Sequence, residues 1–588
     1  MNKLSKLLSI VALMCSASVV CSVYATNYYV GFSNENLSNS YSGTNAGLTS
    51  ALGAAGANDV VYIARGLTFY LDVALTVNEH IIGGCDPTGD GTSKTAIGVA
   101  GNLTSSMTVL DGNSLRHPKR DEKHRVATVN AGGIIENCLI RNGHARGTTD
   151  NNNDLNGHGG GVLLNGGKLY NCIIRGNVAM NVQYQSTNKS SGGGVYITNN
   201  GGQVINCIIA FNMDDKGVGI DGVSGESINN TVAYNTQAPT WVSIPGGTIF
   251  QHINPNNPHA VTFTGSYIYL NSFYIASTEC TTGQYACFMS AVDMGSYANN
   301  YHYLSVDDRN AMIAAKAPVP IAYTGYPSGI TVEQYAILAF GDAAYNGGSG
   351  TAIGGNVWNI LQSQTNARYA SLTASSADIL AVWYPVKGST MVSGAVDEAL
   401  RRDNYAMSNV SWWGSLAFSL WLGGCLPTEA QWEYAGRWVS SGIDNSKRYA
   451  GTNDTGALAN YAWYNNSSGG VHEVAKKLPT EKGLYDMSGN LYEWVLDPFG
   501  FYMVSKVGRL TVVGGMNANL VSSNAGNNGS IATAPWYNPV AFPSSGSYRV
   551  LRGGSWNSIV TRCTLGYRAD GNPSGCGYDI GFRAVCVP

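Results

Sequence analysis

Through the first 240 residues, apolar side chains come mostly in short β-branched runs closed by Gly or Asn. Runs of that length and composition predict strands. Three of them align without gaps: Asn137–Gly143 (NCLIRNG), Asn171–Asn177 (NCIIRGN) and Asn206–Asn212 (NCIIAFN). A fourth, Asn229–Asn235 (NNTVAYN), carries Asn230 at the cysteine position, so the intervals between equivalents at 138, 172, 207 and 230 are 34, 35 and 23 residues. The shortest interval is the bare repeat, and the polar stretches Thr148–Asn156 and Gln183–Ser191 are loops inserted into the longer two. A glycine turn precedes the apolar strand of each later copy, at Gly159–Gly161, Gly192–Gly194 and Gly217–Gly219. Such a period predicts a solenoid of stacked coils. Equivalent asparagines would then hydrogen-bond along the stack, and Cys138, Cys172 and Cys207 would line its interior as core packing.

The pattern changes after residue 262. Spacing places Trp413, Leu416, Ala417, Leu420 and Trp421 on one face of a helix capped by Ser411 and stopped by Gly423-Gly424. Thr428 and Gln431 form a capping box for a second helix that turns Trp432 and Ala435 inward. These tryptophans read as core. Residues 241–262, with three prolines within them and no clear period, read as a cap or linker.

Two resemblances follow. The opening Tyr28–Val30, Leu48–Ala57 and Asp59–Ala64 reads as strand, capping helix and strand, and with the repeats it resembles pectate-lyase-like right-handed parallel β-helices over about residues 26–240. In the second half, Phe273–Tyr285, CLPTEAQWEYAGR (Cys425–Arg437), GLYDMSGNLYEW (Gly483–Trp494) and the segment from Arg549 to Arg583 resemble, in order, the formylglycine-generating enzyme or sulfatase-modifying factor family, which has a C-type-lectin-type fold. The implied architecture is multidomain: a signal peptide at 1–25, an all-β solenoid at 26–240, a cap or linker at 241–262, and an α+β formylglycine-generating-enzyme-like domain at 263–588 with a large insertion at about 291–400.

The same resemblance implies chemistry. Positions matching Asp486 and Glu493 bind Ca²⁺ by side chain in the family, and those matching Gly489 and Leu491 by carbonyl; oxygen ligands around a glycine turn suit that ion. The family's oxidases use two cysteines five residues apart to hold copper(I), whereas this chain has Ser558 followed by Cys563. A neutral hydroxyl does not replace a thiolate. Copper is therefore not expected, and Cys563 is a catalytic remnant. Around fixed Gly, Ser, Trp, Arg and Pro positions the segment varies, in a manner that resembles the diversified face of retroelement-varied proteins. Ser558, Ile559, Thr561, Thr564, Tyr567, Asp570, Tyr578 and Asp579 are the candidate ligand contacts, for an unidentified protein or glycan. The expected function is recognition; a copper-dependent formylglycine-generating oxidase is the alternative. A lyase centre in the solenoid is a second alternative, with Asp86, Asp90 and Asp111 as acids and Arg116–Arg125 as the basic run, though DPTGDG and a mixed charge run also match an ordinary turn and a solvated loop.

Composition narrows this further. Charged residues make up 12% of 588 and the net charge is −3, which gives no electrostatic case for nucleic acid. Lys3 and Lys6, the apolar run from Leu7 to Val20 and the Val23-Tyr24-Ala25 site predict export rather than a transmembrane segment. Lipid attachment at Cys21 is disfavoured by the bulky Val20 before it.

Overall fold

A computed structural model of the chain describes residues 26–88, 107–112, 123–147, 155–291, 404–499, 536–537 and 548–586, with short breaks inside these ranges, among them 253–264 and 573–576. The export segment, Asp90, residues 116–122 of the basic run, the capping Ser411 and the insertion lie outside the described residues.

The repeats stack in register as parallel strands. Leu139 pairs with Ile173, Ile173 with Ile208, and Ile208 with Thr231. A second column runs Ala127–Val162–Val195–Ile220 and a third Ile135–Leu169–Val204–Ser227. Corners are made by asparagine. Asn137, Asn171, Asn206 and Asn229 all sit at φ between 49° and 56°, a left-handed conformation that asparagine tolerates better than other side-chain-bearing residues. Their side chains bond along the stack, Asn206 Nδ2 to Asn171 Oδ1 (2.5 Å) and Asn229 Nδ2 to Asn206 Oδ1 (3.1 Å). An inner ladder runs from Asn177 Nδ2 to Asn212 Oδ1 and from Asn212 Nδ2 to Asn235 Oδ1, each 3.0 Å. Cys138, Cys172 and Cys207 are buried in the apolar interior, as the repeat predicts.

The two ends are finished differently. Helix α1 (Asn45–Ala54), capped by Thr44, lays Leu48 and Ala51 over the first coil. In the last coil the interior columns turn polar or small: Val204 gives way to Ser227, Cys207 to Asn230 and Ile197 to Gly222. Asn230 Nδ2 donates to Val204 O and Ser227 Oγ, and its Oδ1 accepts from Cys207 N, so the last coil closes its own end with hydrogen bonds.

The second half begins earlier than its sequence pattern predicts. Strand β1 (Trp241–Ile244), in the segment read as a cap or linker, pairs antiparallel with β2 (Phe273–Ala276), and Gly247–His252 pairs with Gly265–Leu270. Prolines flank these strands without interrupting them, and Trp241 and Ile244 point into the core. Helices α2 (Thr282–Ala291), α3 (Trp412–Trp421) and α4 (Glu429–Gly436) pack beside a sheet of β3 (Tyr492–Pro498), β4 (Arg549–Arg552), β5 (Ala569–Gly571) and β6 (Ile580–Phe582), ordered β5-β4-β3-β6. Strand β7 (Val585–Cys586) returns to β2. The capping box on α4 forms as expected. On α3, Trp412, Leu416, Phe418 and Trp421 are all buried, a wider apolar surface than the single stripe predicted.

The halves share one core. Val178, Met180, Phe211 and Met213 of the stack belong to the same apolar cluster as Phe288, Phe418, Trp421 and Phe582. Trp421 Nε1 donates to Asn142 Oδ1 (3.0 Å) across the boundary. Gly176 meets Ala291 so closely that a Cβ there would lie 2.3 Å from Ala291 Cα. No helix among the described residues is long and apolar enough to cross a membrane.

Candidate functional site

The terminal segment rests on a buried ionic frame. Glu493, at the middle of the sheet on β3, receives Arg583 through Nε (2.7 Å) and Nη2 (2.8 Å) and the indole of Trp432 (2.9 Å). Arg583 spends its remaining N–H groups on the carbonyls of Ala276, Ser277 and Tyr485. On α4, Glu429 holds Arg568 (2.6 and 2.9 Å), while Glu433 holds Arg552 (2.6 Å) and Arg437 (2.7 Å). All of these side chains are buried, where a guanidinium is tolerated only because its charge and donors are met. Three arginines from the last forty residues therefore clamp that segment to the rest of the domain.

Beside Glu493 lies the DMSGN turn. Asp486, Gly489 and Asn490 have φ of 56°, 83° and 56°. A Cβ on Gly489 would sit 2.1 Å from Trp463 O, so glycine is required. Asn490 is the hub. Its N–H donates to Trp463 O, its carbonyl accepts from Trp556 N, its Oδ1 accepts from His472 N and its Nδ2 donates to Glu279 Oε2. Glu279 also accepts from Leu491 N (2.9 Å). Asp486 Oδ2 accepts from Ala475 N (2.8 Å), but its Oδ1 is buried without a donor. Burial pushes Asp486 up to about 6 and Glu279 upward as well, Glu279 further raised by Asp486 and Glu493.

Three buried carboxylates thus face one buried guanidinium, an excess of two negative charges when all are ionised. That excess and the open oxygen of Asp486 fit a divalent cation. Glu493 fits less freely, because both its oxygens already accept N–H groups. No group of three or more His, Cys, Asp or Glu converges as a metal site among the described residues, so an ion here would take its other oxygens from main-chain carbonyls.

The expected ligand residues separate into two sets. Ile559 (56% exposed), Tyr578 (57% exposed), Thr561 and Asp570 face solvent, joined by Asn557 and Arg562, which the sequence reading missed. Asn557 Nδ2 donates to Tyr578 Oη (3.3 Å), and the Tyr578 ring lies 5.8 Å from that of Trp556. Tyr567 and Asp579 are half-buried; Asp579 accepts from Ser555 Oγ (3.1 Å). Ser558 and Thr564 are corrections: both are buried. Ser558 Oγ accepts from Ser555 N (3.0 Å), and Thr564 Oγ1 donates to Thr561 O (3.3 Å). Their hydroxyls serve the backbone of their own loop.

Cys563 is fully buried among Tyr449, Leu458 and Ala462, and burial pushes its thiol up to about 12. It forms no disulfide, and no second described sulfur joins its cluster; Cys576 lies outside the described residues. In the stack, Asp111 is committed to Arg141 (2.8 Å) and Asn142 (2.9 Å) and is buried, while Asp86 caps its own turn at Thr88. Neither is poised as an open carboxylate of a catalytic cluster.

The model of the sulfatase-modifying factor enzyme 1-like domain matches residues 228–587, more than half of the chain. The chain belongs to this family. Among curated relatives, formylglycine-generating enzyme of Streptomyces coelicolor is 27% identical over 239 residues, 36% of this chain and 65% of that protein. Serine/threonine-protein kinase pkn1 of Chlamydia pneumoniae is 31% identical over 178 residues, 30% of this chain and 23% of the kinase. The chain spans less than two thirds of either relative. Among solved structures, Treponema denticola variable protein 1 is similar at 19% identity and a TM-score of 0.31, covering 60% of this chain and 95% of that one.

The family match opens at residue 228, inside the last coil of the stack. In the sulfatase-modifying-factor-like domain, the glutamates of α4 and the arginines of the last forty residues are the structural framework that sequence reading left out. Its signal lay in the motifs themselves: TEAQWEYAGR places Glu429 and Glu433 one helical turn apart on a helix buried throughout.

Proposed function

We propose that the protein is an exported recognition protein whose sulfatase-modifying-factor-like domain binds a protein or glycan on the exposed face of residues 557–578. One observation carries this reading. The position that pairs with Cys563 in the family's oxidases is a serine whose hydroxyl is already used inside its loop, while uncharged side chains on the same segment stand free in solvent. Tyr578 and Ile559 with a flanking indole supply the large, low-entropy contacts of an adaptable binding face. The stack of parallel sheets is read as a right-handed parallel β-helix that carries this face. Calcium at Asp486, with Gly489, Leu491 and Glu493, would offset the excess charge and stiffen the turn beneath Trp556; it takes no part in ligand chemistry.

Replacing Ile559 and Tyr578 together by Ala should weaken ligand binding about 1000-fold, two anchors each worth roughly 2 kcal/mol, with an unchanged thermal midpoint. Ligand captured on a glycan or protein array and measured by calorimetry decides this; undiminished binding by the double variant rejects the reading.

Formylglycine-generating chemistry is the second reading, favoured by the family itself. It requires a second thiolate beside Cys563. Copper(I) titration under reducing conditions separates the two, because tight one-to-one uptake lost in Cys563→Ser supports oxidation and no uptake supports recognition.

A further inference from the structure

Where the stack meets the second half of the chain, a single carboxylate holds the joint. Asp215 is fully buried at the end of the third repeat. Its Oδ2 accepts from Asn181 N (2.9 Å) and Ser190 N (3.0 Å), the two ends of the loop inserted in the coil below. Its Oδ1 accepts from Gln185 Nε2 (2.6 Å), and its backbone carbonyl accepts from Gln237 Nε2 (3.2 Å). Gln185 then reaches the segment leaving the stack: Nε2 donates to Pro239 O (3.0 Å) and Oε1 accepts from Trp241 N (3.0 Å). Gln237 O accepts from Gln284 Nε2 on α2 (3.1 Å).

We propose that Asp215 and Gln185 form a proton-operated latch between the stack and the sulfatase-modifying-factor-like domain. The polarity of the Gln185 amide is what couples them. An ionised Asp215 needs a donor at Oδ1, which orients Nε2 inward and leaves Oε1 for Trp241. A proton from solvent on Oδ1 makes that oxygen a donor, so the amide turns to present Oε1. Nε2 then faces the N–H of Trp241 and Oε1 faces the carbonyl of Pro239, and both bonds to the exit segment are lost. The latch is closed with the carboxylate ionised and open with it protonated. Burial places this titration in the neutral range, pushing Asp215 up to about 7.

Two buried acids titrate beside the latch, Asp215 and its chain neighbour Asp214, which burial pushes up to about 6, and Asp215 is the one that accepts from Gln185. Asp214, next in the chain, raises Asp215 further but spends its own carboxylate on Gly193 N, Lys216 N and Val218 N. Lys189 on the inserted loop is exposed, and Lys216 is paired with Asp221 (2.7 Å). Arg146 lies one coil below, beside Met180. His158 is engaged by Ser191 (3.1 Å). The exit segment supplies only Gln237, Ala238, Pro239, Thr240 and Trp241, none of which titrates, and α2 contributes Gln284.

Hydrogen exchange of the full-length protein tests this, with rates corrected for the intrinsic pH dependence of exchange. Between pH 8 and pH 5.5, protection of residues 238–244 should fall about tenfold, as loss of one or two hydrogen bonds implies, while residues 173–175 inside the stack keep theirs. Asp215→Asn should show the low protection already at pH 8. Should that variant fold poorly, Gln185→Ala, at a half-buried loop position, should show low protection at both pH values. Equal protection of 238–244 at both pH values in the native protein, or a native pH response in Gln185→Ala, overturns the latch.

Discussion

At the scale of single residues, the domain is organised by charges that water never reaches. Removing one member of a buried pair leaves the other uncompensated, at a cost of about 3–5 kcal/mol. Arg568→Met removes the nearest cation of Glu429, leaving Arg552 Nε at 3.4 Å, and Glu433→Gln weakens the hold on both Arg552 and Arg437. Each should lower the free energy of unfolding in urea by that order, and a change under about 1 kcal/mol would show the frame to be dispensable. Buried acids give a second expectation. Asp214 and Asp215 have folded values raised above 3.8, to about 6 and 7. The folded state therefore binds more protons than the unfolded state between about pH 4 and 7, and stability declines as pH rises through that window, by up to about 1.4 kcal/mol per pH unit for each group. Denaturant titration at pH 4.5, 6 and 7.5 checks the slope, which Asp215→Asn should flatten. This global gain on protonation coexists with the open latch, since a proton there loosens the joint without unfolding either half.

At the scale of elements, the asparagine ladders do for the stack what side-chain packing does elsewhere. Asn177 and Asn212 each satisfy backbone groups of neighbouring coils and bond to the next asparagine. Replacing Asn212 by Ala removes the acceptor of Asn177 N–H and a donor to the carbonyl of Ile174, and should cost about 2–6 kcal/mol, the sum of roughly 1–3 for each buried group left unpaired; a thermal melt that does not move would contradict this. These ladders were legible in the sequence because a period puts like above like. The long-range pairs of the ionic frame were not, because they lie 90 to 139 residues apart with no spacing rule to join them. Strand β1 was hidden by flanking prolines that do not interrupt its ladder. Ser558 and Thr564 were misplaced for a related reason: they sit in an irregular loop and a single 3-10 turn, where no periodicity tells inward from outward.

At the scale of the whole molecule, the two halves have a common interior, so the family boundary at residue 228 is not a physical one. All twelve tryptophans lie at or beyond position 241, so their fluorescence reports on the second half alone while backbone circular dichroism reports on both. Unfolding of the native protein at pH 8 should give coincident midpoints by the two probes, and separated midpoints would mean that the halves fold independently despite their shared core.

The nine described cysteines are all buried, and none forms a disulfide. A chain of this size held without those crosslinks carries its own silent clock. With a thiol-reactive dye at concentrations where labelling outpaces reclosing, these nine thiols should colour only as fast as molecules open, so their rate of colour development reads out the lifetime of the native state.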